Sequence, residues 1–82
     1  MRARIVIRLR PGVLDPQGTT IRKALESLGF PEVRELRVGK VLELILDETD
    51  RARARARLDE MCRKLLANPV IEDYSIEVEG AP

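Results

Sequence analysis

The sequence predicts an α+β domain of order β-α-β-β-α-β, with a four-stranded antiparallel sheet carrying two helices on one face. Three observations carry this expectation. Along the 82 residues the spacing of apolar side chains switches between strand-like alternation and a helical period, in that order. Turn and capping residues stand at each switch and keep the connections short. The first and last strands also carry opposite charges on matching faces, as neighbours in one sheet should. Together these give the split β-α-β pattern of ferredoxin-like folds.

Residues 3–9 alternate cleanly: Ile5, Ile7 and Leu9 point one way, while Arg4, Arg8 and Arg10 point the other with Val6 among them. This is a half-buried strand with one basic face, stopped by Pro11-Gly12. Val13-Leu14-Asp15-Pro16-Gln17-Gly18 then turns strand into helix. Asp15 can accept hydrogen bonds from the free N–H groups of the first turn, and Pro16 suits the first helical position because its missing donor would have no partner there. Val13 and Leu14 are placed to clamp the turn from just ahead of the cap. Over residues 16–28, Ile21, Ala24, Leu25 and Leu28 form one apolar stripe. Gly29 ends the helix and Phe30-Pro31 prevents its continuation. Gly18, inside the first turn, costs up to ~1 kcal/mol relative to Ala. A close approach by another backbone or by a partner would account for it.

Residues 33–38 read as a second strand and 41–47 as a third, with Gly39-Lys40 as a tight hairpin turn between them. Leu42, Leu44 and Leu46 face one way, and Val41, Glu43 and Ile45 the other. Two largely apolar faces describe a central strand covered on both sides, which points to oligomerisation. Asp50 caps a second helix running to about residue 67, with Ala54, Leu58, Met61, Cys62 and Leu65 on its core side. The Arg51–Arg57 run alternates like a strand, but Ala and Arg are strong helix formers. Asn68-Pro69 ends this helix, and residues 70–79 form the last strand, with Val70, Tyr74, Ile76 and Val78 inward and Asp73, Ser75, Glu77 and Glu79 outward. A single domain therefore covers 1–79, and 80–82 is expected to be a frayed tail.

Several functions are excluded by what the chain lacks. It has no histidine, which removes His-based triads, imidazole bases and His metal sites. The single cysteine, Cys62, lies on the helix's inner side and reads as an inert buried thiol. Phe30 and Tyr74 are the only aromatics and the net charge is +1, so neither a base-stacking platform nor a strong basic field favours nucleic acid. The Arg51–Arg57 run is followed by acids at ion-pair spacing, such as Asp59 to Arg63 and Glu60 to Lys64, and reads as a solvated helix face. Glu43, Glu72 and Asp73 could do acid–base work, but no convergent polar cluster accompanies them. Gly39-Lys40 lacks the other residues of a phosphate loop. No run of about 20 apolar residues suggests a membrane span, and a cytoplasmic location is expected.

An ordered set of motifs does carry information. Val13-Leu-Asp-Pro-Gln-Gly18 after the first strand, Ala24-Leu25, Val38-Gly-Lys40 followed by Glu43-Leu44, and Met61-Cys-Arg-Lys-Leu-Leu-Ala-Asn68 leading into Val70-Ile-Glu-Asp-Tyr74 together resemble PurS. PurS is the small subunit of phosphoribosylformylglycinamidine synthase, in purine biosynthesis. The resemblance implies a complex with two other subunits. A PurL-type synthetase subunit uses ATP and Mg²⁺ to activate the amide of formylglycinamide ribonucleotide, and a PurQ-type glutaminase subunit supplies ammonia. PurS-like chains bridge the two, associate as dimers or larger oligomers, and carry no catalytic, cofactor-binding or metal-binding residues of their own.

Two surfaces follow as expectations. Self-association is expected through sheet edges or faces, with Val6, Val41 and Ile45 contributing and Glu43 beside them. A partner-facing surface is expected around Asp15, Pro16, Gln17 and Gly18, Gly39 and Lys40, and Glu72, Asp73 and Tyr74. An alternative of the same fold is a small-molecule-sensing module similar to ACT domains, with a ligand at a dimer interface.

Overall fold

The computed structural model describes residues 1–79, so the expected tail, 80–82, lies outside the described residues. Alternation makes β1 (Arg2–Leu9) the central strand of the molecule. Its inward residues Ala3, Ile5 and Ile7 are buried, and its arginines face out. β2 (Gly39–Ile45) and β3 (Glu72–Val78) flank it, both antiparallel, giving a three-stranded sheet of order β2-β1-β3. The charge pattern expected between the first and last strands is present: Arg4 lies opposite Glu77 and Arg8 opposite Asp73. On the other side Arg4 also faces Glu43.

The inner face is covered by α2 (Arg51–Met61), capped by Asp50, whose carboxylate accepts from the Ala52 N–H at 2.9 Å. Ala54 and Leu58 of α2 and the following Cys62 pack on Ile5, Ile7 and Val78. The helix ends in a π-turn over Cys62–Leu66, closed by the Ala67 N–H donating to the Cys62 carbonyl at 3.0 Å. That extra residue shifts the helical phase. Leu66 meets the core and Leu65, expected inside, is 82% exposed. Two of the expected ion pairs form, Asp59–Arg63 and Glu60–Lys64, each at 2.9 Å.

Tyr74 of β3 crosses to α2 and donates its hydroxyl to Asp59 at 2.6 Å. This bond holds the Asp59 carboxyl below its ordinary range and pushes the Tyr74 phenol above its own. The stabilisation from the raised phenol is present below a pH of about 10 and is lost as pH rises through the folded value. Tyr74→Phe is expected to lower Tm on the order of 5 °C at neutral pH and to flatten the alkaline decline. Thermal melts from neutral to alkaline pH check both.

The four-stranded, two-helices-on-one-face expectation is not met. Residues 33–38 do not form a strand, and Gly39-Lys40 is not a hairpin turn but the start of β2, paired with Arg8 and Ile7. β2 is therefore an edge strand rather than a central one. α1 (Pro16–Ser27) does not lie on the sheet either, and none of its side chains joins the core cluster. The molecule extends 49 × 29 × 14 Å with a radius of gyration of 16.3 Å. A compact chain of this length would give about 12 Å.

Candidate functional site

The projecting helix is held by a small polar latch. Asp15 is 7% exposed. One carboxylate oxygen accepts from the Gly18 N–H at 2.8 Å, capping α1, and the other accepts from the Val38 N–H at 2.8 Å. The segment before β2 thus crosses the start of α1. A Cβ built on Gly18 would fall on the Leu36 carbonyl and within 2.8 Å of Asp15 Oδ2. Gly18 sits at the close backbone approach that its sequence position suggested. Leu14, expected to clamp this turn, is 79% exposed, and the turn is closed instead by the Val13 N–H donating to the Arg10 carbonyl at 3.1 Å.

The two N–H donors, Val38 before Gly18 in weight, hold the Asp15 carboxyl below its ordinary value. A depressed folded pKa contributes stability above the unfolded value of about 4, lost as pH falls through the folded value. Hydrogen exchange at Val38 and Gly18 is therefore expected to lose protection below a pH of about 4. Asp15→Asn is expected to remove that acid dependence and to weaken protection at neutral pH as well.

Pairing brings the other candidate residues to one end of the sheet. Gly39, Arg8 and Asp73 form one row across the three strands, and Lys40, Ile7 and Tyr74 form the next. Glu72 lies opposite Leu9 and accepts from the Asn68 N–H at 2.7 Å. Asp15 and Gly18 are buried in the latch, while Pro16 and Gln17 are exposed beside it. Val41, Glu43 and Ile45 stand on the outer face of β2, where Val6 is the cross-strand neighbour of Val41. Arg10 is a residue that sequence reasoning missed at this end. It donates through Nη2 to the Pro69 carbonyl at 2.6 Å and lies 3.4 Å from Asp73. The Arg37 guanidinium in turn donates to the Arg10 carbonyl at 3.1 Å. Nothing local in the sequence marks either contact, because both join segments far apart in the chain.

Three apolar surfaces remain bare, the first being the outer face of β2, where Val41 is 56% and Ile45 82% exposed. On α1, Ile21 and Leu28 are exposed, Leu28 at 74%, with Phe30 just beyond. On the inner side of the sheet, an open groove of about 370 Å³ beside α2 is lined by Leu44, Met61, Leu65 and Leu66. Acid–base or nucleophilic chemistry has no comparable geometry. Cys62 is buried, and that burial, with the Asp59 charge second, pushes its thiol up. Among the described residues no group of three or more His, Cys, Asp or Glu side chains could hold a metal ion. The arrangement is suited to contact with other protein surfaces.

The family model described as PurS, phosphoribosylformylglycinamidine (FGAM) synthase, matches residues 2–80. The chain belongs to the PurS family. It is 49% identical over 81 residues to the PurS subunit of Synechocystis, covering 95% of this chain and 81% of that one. Its fold superimposes on the crystal structure of Methanocaldococcus jannaschii PurS with a TM-score of 0.89 at 44% identity, covering 99% of this chain and 98% of that one. A chain in the structure of PurLQS from Thermotoga maritima matches with a TM-score of 0.85 at 32% identity, covering 93% of each. As a PurS chain it is a subunit of FGAM synthase in purine biosynthesis.

Proposed function

We propose that this PurS chain self-associates and, so assembled, bridges a PurL-type synthetase subunit and a PurQ-type glutaminase subunit and supports passage of ammonia between them. The observation that carries this reading is α1. Its apolar stripe is exposed while a bare apolar groove lies open beside α2 in the same molecule. An isolated domain of this size, burying only about 60–65% of its unfolded surface, can ill spare either. A second copy covers both at once, as closed symmetry allows. In this reading ATP and Mg²⁺ belong to the synthetase subunit and this chain binds neither. The site of action is the cytoplasm, in keeping with the absence, among the described residues, of a helix long and apolar enough to cross a membrane. Family membership displaces the ligand-sensing alternative. Size-exclusion chromatography of the chain with purified synthetase and glutaminase subunits from the same source tests the reading. Co-elution of all three supports it, and separate elution of this chain contradicts it.

A further inference from the structure

The outer face of the sheet has a notch where β2 begins. Gly39 lies opposite Arg8, so close to the Ile7 carbonyl that a Cβ would fall 2.7 Å from its oxygen, and beside it a hollow of about 370 Å³ opens between Arg8 and Arg37. Val6, Leu9, Val38 and Val41 form its apolar lining, and Lys40 stands at its rim. No carboxylate lines it. Among the described residues, none of Arg8, Arg37 and Lys40 has a carboxylate within ion-pair distance. Asp73, the acid opposite Arg8 in the register, lies across β1 from the notch and is taken up by Arg10. Arg8 and Arg37 beside an apolar hollow, in a chain whose net charge is only +1, amount to a local field of one sign, while Lys40, opposite the inward Ile7, sends its side chain to the other face.

We propose that the notch at Gly39 receives an acidic segment of another synthase subunit, its carboxylate seated against Arg8 and Arg37 and its aliphatic carbons on the valines. The inference deepens the assembly reading and rests on it. Charge complementarity selects an acidic occupant, and arginine suits a planar carboxylate because its guanidinium can offer paired donors. The apolar lining favours a side chain over a free ion. β2 is also an edge strand there, so its unpaired backbone groups are open to an extended segment.

The test compares the full chain with Arg8→Gln/Arg37→Gln, and separately with Arg8→Glu, for binding to purified synthetase and glutaminase subunits at several salt concentrations. Both variants are expected to bind one of the subunits at least about tenfold more weakly, with a shallower dependence on salt, while oligomeric mass stays that of the wild type and Tm falls by no more than a few degrees where the exposed Arg37–Arg10 carbonyl hydrogen bond is lost. The Arg8→Lys/Arg37→Lys variant is expected to recover part of the affinity. Unchanged binding in both variants overturns the proposal. A change in oligomeric mass also overturns it, by assigning the notch to contacts between copies. Saturable micromolar binding of inorganic phosphate by the wild-type chain overturns it in favour of a small anion. Failure of the wild type to bind either subunit removes the assembly reading itself.

Discussion

Replacing Ile21 and Leu28 by glutamate is expected to leave a folded monomer, where the proposed self-association makes the wild type an oligomer. The two residues are seven apart on one face of α1 and both are exposed in the single chain. Neither belongs to the core cluster, so their loss leaves that core intact, although Ile21, at 39% exposure, gives up some packing within the subunit. Glutamate is a good helix former, so α1 itself persists. Across a two-fold interface each position counts twice. Fully burying a Leu or Ile contributes about 1.5–3 kcal/mol, and a partner can cover only the exposed part, 39% of Ile21 and 74% of Leu28, so the two copies together lose on the order of 4 kcal/mol and the dimer Kd rises by roughly a thousandfold. Light scattering over a dilution series through the micromolar range, with circular dichroism to confirm helix content, measures this. A variant with the wild-type mass would place self-association elsewhere.

The second large effect belongs to Gly18. Valine there drives a branched side chain into the Leu36 carbonyl and the Asp15 carboxylate, both of them parts of the latch. Backbone must move, because neither neighbour is the free end of a flexible chain. The expected cost is about 3 kcal/mol, seen as a Tm lower by roughly 10–20 °C for a domain of this length. Gln17→Ala, one residue away and exposed, is the control and is expected to change little. Since the latch fixes the direction of α1, Gly18→Val is also expected to weaken self-association. A Tm within a few degrees of wild type would mean that the 30–38 segment yields easily, and that the latch does not set the helix direction.

Much of this was legible in the sequence, and the failures share a cause. β1, β3 and α1 follow from period and caps, and α2 from its Asp50 cap and the helix propensity of Ala and Arg against a strand-like alternation, because those signals are local. Residues 33–38 read as a strand, but of Val33, Leu36 and Val38 only the last two are spaced as one face of a strand, and their backbone is already committed to α1. The Val38 N–H serves Asp15, and the Leu36 carbonyl lies over Gly18. Gly39-Lys40 then looks like a turn only if a strand precedes it. The stripe on α1 told which face is apolar but not what covers it. Placing it on its own sheet assumed a molecule complete by itself, whereas the extended shape leaves that face bare. The site was legible in the same uneven way. Asp15 and Gly18 announced themselves through capping chemistry, and Tyr74 as an anchor. Arg10 and Arg37, which tie the loops at the end of the sheet, act through contacts that no local pattern encodes.

A chain that assembles a synthase whose chemistry is done by other subunits is tested by a glutamine-dependent synthase assay with purified synthetase and glutaminase subunits from the same source, run with and without it. Glutamine-supported turnover is expected to appear only when the chain is added, while turnover supported by free ammonia depends on it far less. Equal glutamine-supported turnover with and without the chain would rule out the assembly role.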